Sequence, residues 1–515
     1  MQSNAERSKN SAVSNPIQCF KEDPIYSVYV EDEHLWLNMH NLFIVIGDYP
    51  SASPLNAILN LVEQDLCKLH ANYPNSLALF LQRNTRLTSI HPNFFDTMPD
   101  LCFLDLSDSE LKTLPYSLFN LPKLAVLLLR NCRNLETLSP EIRHLKTLEV
   151  LDLSGTCLRG LPNEICLLQR MKIMKLTFYS PLESEHKLYF PSQYATPSFV
   201  ANMRGMQSLS IWVKLGDRRW SGEGVECIIN DITKLEGLTF LELKFPQVEA
   251  FANFIVSSPS WKKQRLKRFF FTVTQGVGVM RSTVIPVSKE VEKLFHRGNK
   301  CLKYIDGDHV ASRIVNTVLN RATSFYLDHH VELRSLSEFN ISSFKALEFC
   351  LVIDCRELQE ILDEKSGGDA FPCLEFLGMY SLPQLRRIWT PPRQAGWLKR
   401  TFKRPAPWTN FGALKYLVID ACPKLQFVFL ESVVRCLANL EELEVRDCKF
   451  LEITIKEEGK KVKYKDDDAL PRLWKVTFSQ LPRLHTFGCP VRLLQQNISV
   501  YRCPYFDSDS LNPSN

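Results

Sequence analysis

Apolar positions along this chain keep neither of the two simple periods for long. In LCFLDLSDSELKTLPYSLFNLPKLAVLLLRNCRNLETL, residues 101–138, leucines fall three apart, then two apart, give way to polar residues, and the phrase begins again. A strand with one buried face would alternate once and stop, and a helix would space its leucines at three and four. Each phrase therefore predicts a short strand with alternate residues inward, then a turn, then a looser return segment.

The second leucine of each phrase marks a register: Leu79, Leu104, Leu127 and Leu151, at intervals of 25, 23 and 24 residues. Later copies place Phe325, Cys350, Leu377, Leu417, Leu443, Val476 and Ile498 at the same position, and weaker ones stand at MKIMKL, SLSIWV, LTFLEL and LKRFFF. These make about fifteen units, with the middle third poorly defined, and the period is that of a leucine-rich repeat. One unit cannot bury its own apolar face, so neighbours must stack and share a continuous core. The predicted fold is an α/β leucine-rich-repeat solenoid, a curved horseshoe with a parallel sheet on the concave face and irregular or helical returns on the other. Intervals of 40 and 33 residues, after Leu377 and Leu443, imply insertions.

Five residues after the register position stand Asn84, Ser109, Cys132, Thr156, His330, Cys355, Cys422, Cys448 and Cys503. There the chain turns from strand into core and its backbone groups need partners, which small polar side chains supply. One cysteine per turn lies along a line rather than around a point, so the expectation is structural and no metal is assigned. The sixteen cysteines contain no Cys-x-x-Cys pair, and with a polar start lacking a secretory core they read as reduced thiols in the cytoplasm.

Composition narrows the function further. A net charge of +5 is mild for 515 residues and does not suggest a nucleic-acid binder. No apolar run reaches the roughly 18 residues of a membrane span. There is no GxxxxGK[ST], HExxH or Gly-x-Ser-x-Gly, so neither an enzyme nor a nucleotide cofactor is expected. Two basic stretches stand out, WKKQRLKRFFF at 261–271 and RQAGWLKRTFKRPAPW at 393–408. The second lies in an insertion at about 390–411, and its Lys399, Arg400, Lys403 and Arg404 could dock an acidic partner, although a solvated loop explains them as simply.

LALFLQRNTRLTSIHPNFFDTMPDLCFLDLSDSELKTLPYSL resembles the start of the repeats in plant intracellular immune receptors of the coiled-coil, nucleotide-binding, leucine-rich-repeat class. LPQLRRIW, FGALKYLVIDACPKLQFVF, LEELEVRDC and LPRLWKVTFSQLPRLHTF resemble that class further along, and the likeness spans about 35–506. Upstream, LWLNMHNLFIVI resembles the end of the nucleotide-binding module, with Met39-His40-Asn41 where the class has Met-His-Asp. The resemblance implies a histidine facing ADP phosphates there, but Asn41 replaces the aspartate and no P-loop is present, so nucleotide binding is not carried over. The expected organisation is a disordered segment at 1–20, a winged-helix remnant and linker at 21–75, and the solenoid at 76–510. The chain then reads as the sensor half of such a receptor, its nucleotide-binding domain missing, as a truncated product or a fragment.

Strand residues between the inward ones form the candidate recognition surface. In register order they are Phe80 and Gln82, Asp105 and Ser107, Leu128 and Arg130, Asp152 and Ser154, then Glu242 and Lys244. Further on come Tyr326 and Asp328, Gly378 and Tyr380, Val418 and Asp420, Glu444 and Arg446, and Ser499 and Tyr501. Mixed charge with scattered aromatics suits a protein partner better than a small molecule or a phosphate backbone. The resemblance implies a pathogen effector, a guarded host protein, or a receptor's nucleotide-binding domain. A substrate adaptor of a ubiquitin ligase, or another interaction scaffold, is the alternative. It would need an F-box-like helical stretch upstream, and none is recognisable in 1–75.

Overall fold

A computed structural model describes residues 78–178, 200, 202–213, 220, 222–274, 289–306, 313–363, 369–389, 410–434, 436–456, 470–488 and 497–507. The segments expected at 1–20 and 21–75, and the basic insertion with Lys399, Arg400, Lys403 and Arg404, lie outside the described residues. The chain divides into two compact units, Met1–Phe240 with Ser257–Arg265, and Leu241–Val256 with Leu266–Asn515.

In the first unit, β1 (Ala78–Phe80), β2 (Phe103–Asp105), β3 (Val126–Leu128), β4 (Val150–Leu153), β5 (Ile173–Phe178) and β6 (Ser208–Val213) form a parallel sheet in chain order. The strands pair on the register read from the leucine phrases: Leu79 opposite Leu104, Leu104 opposite Leu127, Leu127 opposite Leu151. Met174 and Leu209, in the weaker copies, continue the line. Three returns are 3-10 turns, Tyr116–Asn120, Pro140–His144 and Asn163–Leu167. The second begins with Pro140 behind Ser139, whose side chain accepts a hydrogen bond from the Glu141 N–H and so satisfies an orphan donor.

The second unit repeats the design with β7 (Phe240–Phe245), β8 (Arg268–Thr274), β9 (Lys300–Ile305), β10 (Ser324–Asp328) and β11 (Phe349–Ile353). Beyond β12 (Glu360–Leu362) come β13 (Phe376–Tyr380), β14 (Arg387–Trp389), β15 (Tyr416–Asp420), β16 (Phe427–Leu430), β17 (Glu442–Arg446), β18 (Ile453–Lys456), β19 (Lys475–Ser479) and β20 (Ile498–Tyr501). From β11 onward the main sheet takes β13, β15, β17, β19 and β20, while β12–β14 and β16–β18 pair separately as return strands. Phe325, Cys350, Leu377, Leu417, Leu443, Val476 and Ile498 lie opposite one another in succession, as the repeat requires.

Six repeat strands in the first unit and ten in the second make sixteen, one more than the phrases revealed. The extra one is β9. Its register residue Leu302 sits opposite Phe325, but the position three before it is Asn299 rather than leucine, so the phrase is broken. In that neighbourhood bulk comes from aromatics: Phe271 lies 5.6 Å from Phe245, 5.8 Å from Phe251 and 5.7 Å from Phe254.

One turn position went unread. Four residues after the register position the backbone takes positive φ at Arg83, Asp108, Asn131, Gly155, Asp306, His329, Asp354, Ser381, Ala421, Asp447, Gln480 and Arg502. This left-handed step turns the chain off the sheet, and its N–H still donates to the next strand, as from Asp108 to the Arg130 carbonyl at 2.7 Å. At Gly155 a Cβ would meet Asn131 Oδ1 at 2.2 Å, so the glycine there answers both to φ and to space.

The following position is the line of small polar residues. Asn84, Ser109, Cys132, Thr156, His330, Cys355, Cys422 and Cys448 are buried, and Cys503 is half-buried. Thr156 Oγ1 donates to the Leu153 carbonyl at 2.8 Å, and the thiols of Cys132 and Cys448 reach strand carbonyls at 3.2 Å, those of Leu106 and Arg446. Burial pushes the Cys355 and Cys422 thiols well above the ordinary range, which keeps thiolate scarce. Buried in the folded chain, Cys355, Cys422 and Cys448 will resist iodoacetamide while exposed Cys227 and Cys373 react, and all five will label on denaturation. Mass-spectrometric mapping reads this; fast native labelling of the three would contradict the register.

Candidate recognition face

Side chains at odd steps from the register position point away from the repeat core. In the first unit their base is apolar: Phe103, Val126, Leu128 and Val150 pack together, with half-buried Phe80 and Ile173 beside them. Phe80 and Phe103 lie 4.9 Å apart. Above this base runs a polar line. Arg130 Nε donates to Asp152 Oδ2 at 2.6 Å, and Asp152 Oδ1 also accepts from the Ser154 N–H at 3.0 Å. Asp105 Oδ1 accepts from the Ser107 N–H at 2.9 Å.

These contacts correct part of the expected surface. Asp105, Ser107, Leu128 and Asp152 are buried, as are Lys244, Gly378 and Tyr380 in the second unit. Alternation assigns a face, not exposure. Strands about 4.8 Å apart let longer neighbours close over short side chains, and a carboxylate covered this way keeps its hydrogen bonds. The outward residues left open are Gln82, Arg446, Ser499 and Tyr501. Phe80, Arg130, Ser154, Glu242, Tyr326, Asp328, Val418, Asp420 and Glu444 are half-buried.

In the second unit the covering element is a helix, Lys289–Arg297. Its Val291 and Phe295, four residues apart and so on one helical face, pack with Phe349, Leu351, Phe376 and Tyr380. The Phe295 ring meets Phe349 edge-on at 5.6 Å and Tyr326 at 6.0 Å. Lys303 Nζ lies 5.1 Å from the Phe295 centroid and 4.9 Å from that of Tyr326. Beneath, Phe349 and Phe376 stack at 4.5 Å. Burial, above all, pushes the Tyr380 hydroxyl up to about 12, with Glu444 and Asp420 adding to it. Tyr326, read as an exposed anchor, is thus half-buried with Phe295 of the chain's own helix against its ring, and Tyr380, also read as exposed, is buried in the same apolar cluster.

Two features escaped the sequence reading. Trp212 stands outward on β6 between inward Ile211 and Val213, and is 45% exposed. The weak phrase SLSIWV carried the signal, since Leu209 sets the register. At the top of β10, His329 Nδ1 meets Asp328 Oδ1 at 2.5 Å and its Nε2 meets Asp354 Oδ2 at 3.0 Å, tying two adjacent repeats. Among the described residues no group of three or more His, Cys, Asp or Glu is placed to hold a metal ion, and no helix is long and apolar enough to cross a membrane.

Asp420 is the half-buried carboxyl of this face that burial disfavours most clearly. Burial raises it above its ordinary 3.8, Asp447 and Glu444 push the same way, and Arg446 opposes them. A raised folded value means its stabilising contribution holds below the ordinary pKa and is lost as pH rises through the folded one. Asp420→Asn should therefore raise the melting temperature near neutral pH, with the gain shrinking in acid. An equal gain at both pH values in thermal melts would contradict this assignment.

The stacked strand, turn and return units define the fold as a leucine-rich-repeat solenoid. Residues 78–133 match the leucine-rich-repeat signature, and residues 392–487 match that of the leucine-rich repeats of plant disease resistance proteins like RPS2. The chain is similar to plant disease resistance proteins over most of its length. It is 24% identical over 414 residues to the disease resistance protein At4g27190 of Arabidopsis thaliana, covering 77% of this chain and 37% of that one. It is 26% identical over 430 residues to the probable disease resistance protein At4g27220 of the same plant, covering 82% and 42%. A shorter match of 120 residues at 33% identity, covering 23% of this chain and 11% of the relative, joins it to the Arabidopsis disease resistance protein RFL1. The chain thus aligns with well under half the length of these relatives. Among solved structures it is similar to the leucine-rich-repeat protein LIC12759 of Leptospira interrogans, with a TM-score of 0.40, 17% identity and coverage of 80% and 95%.

Proposed function

We propose that the chain is a non-enzymatic protein-recognition module of plant innate immunity, reading a pathogen effector or a guarded host protein on the outward face of its sheet. The observation that carries this is an outward sheet face suited to contact in each unit: an apolar base with open Gln82 and Trp212 in the first, and open Arg446 and Tyr501 in the second. Similarity to disease resistance proteins supplies the biological setting. Residues 21–75, resembling the end of a nucleotide-binding module, would lead into the solenoid at 76–510. A receptor's nucleotide-binding domain is a second partner, and Lys399, Arg400, Lys403 and Arg404 are the residues offered for it. The line of buried free thiols suits a reducing compartment, and we place the chain in the cytoplasm on that ground.

The test is affinity capture from challenged plant tissue with the wild-type chain and with Gln82→Ala, Trp212→Ala, Arg446→Glu and Tyr501→Ala combined. The reading expects at least one protein, held by the wild type, to be lost with the variant and kept by Lys112→Glu on the return side. Identical captured sets from all three would contradict it.

A further inference from the structure

On the return side of the second unit, β14, β16 and β18 border a hollow of about 620 Å³ lined by Arg386, Arg387, Lys424, Lys456, Phe427 and Phe450, with Gln426 and Leu430. Four of these eight side chains are cations and none is an acid. The acid on the neighbouring return strand is Glu360, opposite Arg387 in the β12–β14 pair. Lys424 Nζ donates to a neutral oxygen, Gln384 Oε1, at 2.5 Å. Lys456 Nζ lies 5.1 Å from the Phe427 centroid, and the Arg483 guanidinium lies 4.7 Å from that of Phe450.

Four like charges gathered in one concavity repel one another, and nothing in the repeat demands them there. Inward residues of these return strands, Ile388, Val428 and Ile455, already supply the core. The hollow falls within the roughly 300–1,000 Å³ of small-ligand sites. We propose that it binds a compact polyphosphate, a small molecule carrying phosphate groups in series.

Three points favour that chemistry. Arginine forks match phosphate oxygens bidentately, and lysine adds point charge. Only Arg387 and Lys456 stand on return strands, β14 and β18, while Arg386 and Lys424 precede β14 and β16, so the cations gather around one hollow rather than run in the line an extended acidic peptide would need. Lys456 sits over the Phe427 ring and Arg483 over that of Phe450, so the aromatic lining serves to hold cations at the hollow and the phosphates are what it reads. This site is independent of the recognition face and of any protein partner.

The probe is sodium tripolyphosphate, titrated calorimetrically into the full chain at low ionic strength. Saturable binding is expected, weakening with added salt as screening grows. Lys424→Glu with Lys456→Glu should weaken it at least tenfold, and the neutral pair Lys424→Gln with Lys456→Gln should weaken it less. These side chains are exposed, so circular dichroism should be unchanged in both. Lys112→Glu, exposed in the first unit, should bind as the wild type does. Absence of saturation overturns the proposal. So does an equal loss in the Lys112 variant, or binding of a glutamate-rich peptide to the hollow when tripolyphosphate does not bind.

Discussion

Leu417→Ala will destabilise the second unit by about 2–5 kcal/mol, the range for a large-to-small change in a closed core. Leu417 is 1% exposed and sits on β15 between Leu377 and Leu443, its register partners on either side. Truncating it opens a cavity in the shared core, and neighbours fixed by their own strands can collapse into it only partly. A repeat array unfolds through nearest-neighbour interfaces, so the loss should concentrate in β13–β17. Hydrogen exchange read by mass spectrometry, beside a thermal melt, measures this. Tyr501→Ala, on an exposed position of the same unit, should change stability by less than about 0.5 kcal/mol. Equal effects of the two would remove the inward assignment of the register position.

Phe295→Ala should cost about 3–5 kcal/mol of local stability, because the ring is 2% exposed and joins its helix to Phe349 and Tyr326. The effect differs in kind from that at Leu417. The repeat core beneath stays intact, so the strands should hold while the helix Lys289–Arg297 loosens. Tyr326, Phe349 and Phe376 should then gain exposure, seen as faster oxidative labelling of those rings. Global unfolding of β10–β13 in the variant would show instead that the helix is part of the core.

Much of this architecture could be read from leucine spacing, because one period sets both the strand face and the stacking partner. Leu104, Leu127 and Leu151 were placed correctly against one another by counting alone. β9 was not seen, since Asn299 breaks the phrase while the backbone keeps the register. The left-handed turn at Asp108, Asn131 and Asp354 escaped for another reason: arginine, serine, alanine and glutamine occupy the same step elsewhere, so no single residue type marks it.

The candidate face was harder to read. Parity shows which side Tyr380 and Asp152 leave the sheet, but not what closes over them. Cover for Asp152 comes partly from Arg130 one repeat earlier, 22 residues away, and the apolar cluster that buries Tyr380 also takes in Val291 and Phe295 of the distant helix Lys289–Arg297. Such contacts between distant segments leave no local period in the sequence. Trp212 shows the converse, an open anchor inside a phrase too weak to attract notice.

The most direct test of the recognition face is hydroxyl-radical footprinting of the chain with and without the protein it retains from challenged tissue. Trp212, Tyr326 and Tyr501 should become protected on binding, while exposed Tyr116 on the 3-10 return and Val256 should react as before. Protection confined to Tyr116 and Val256, with the sheet-face rings unchanged, would contradict the account.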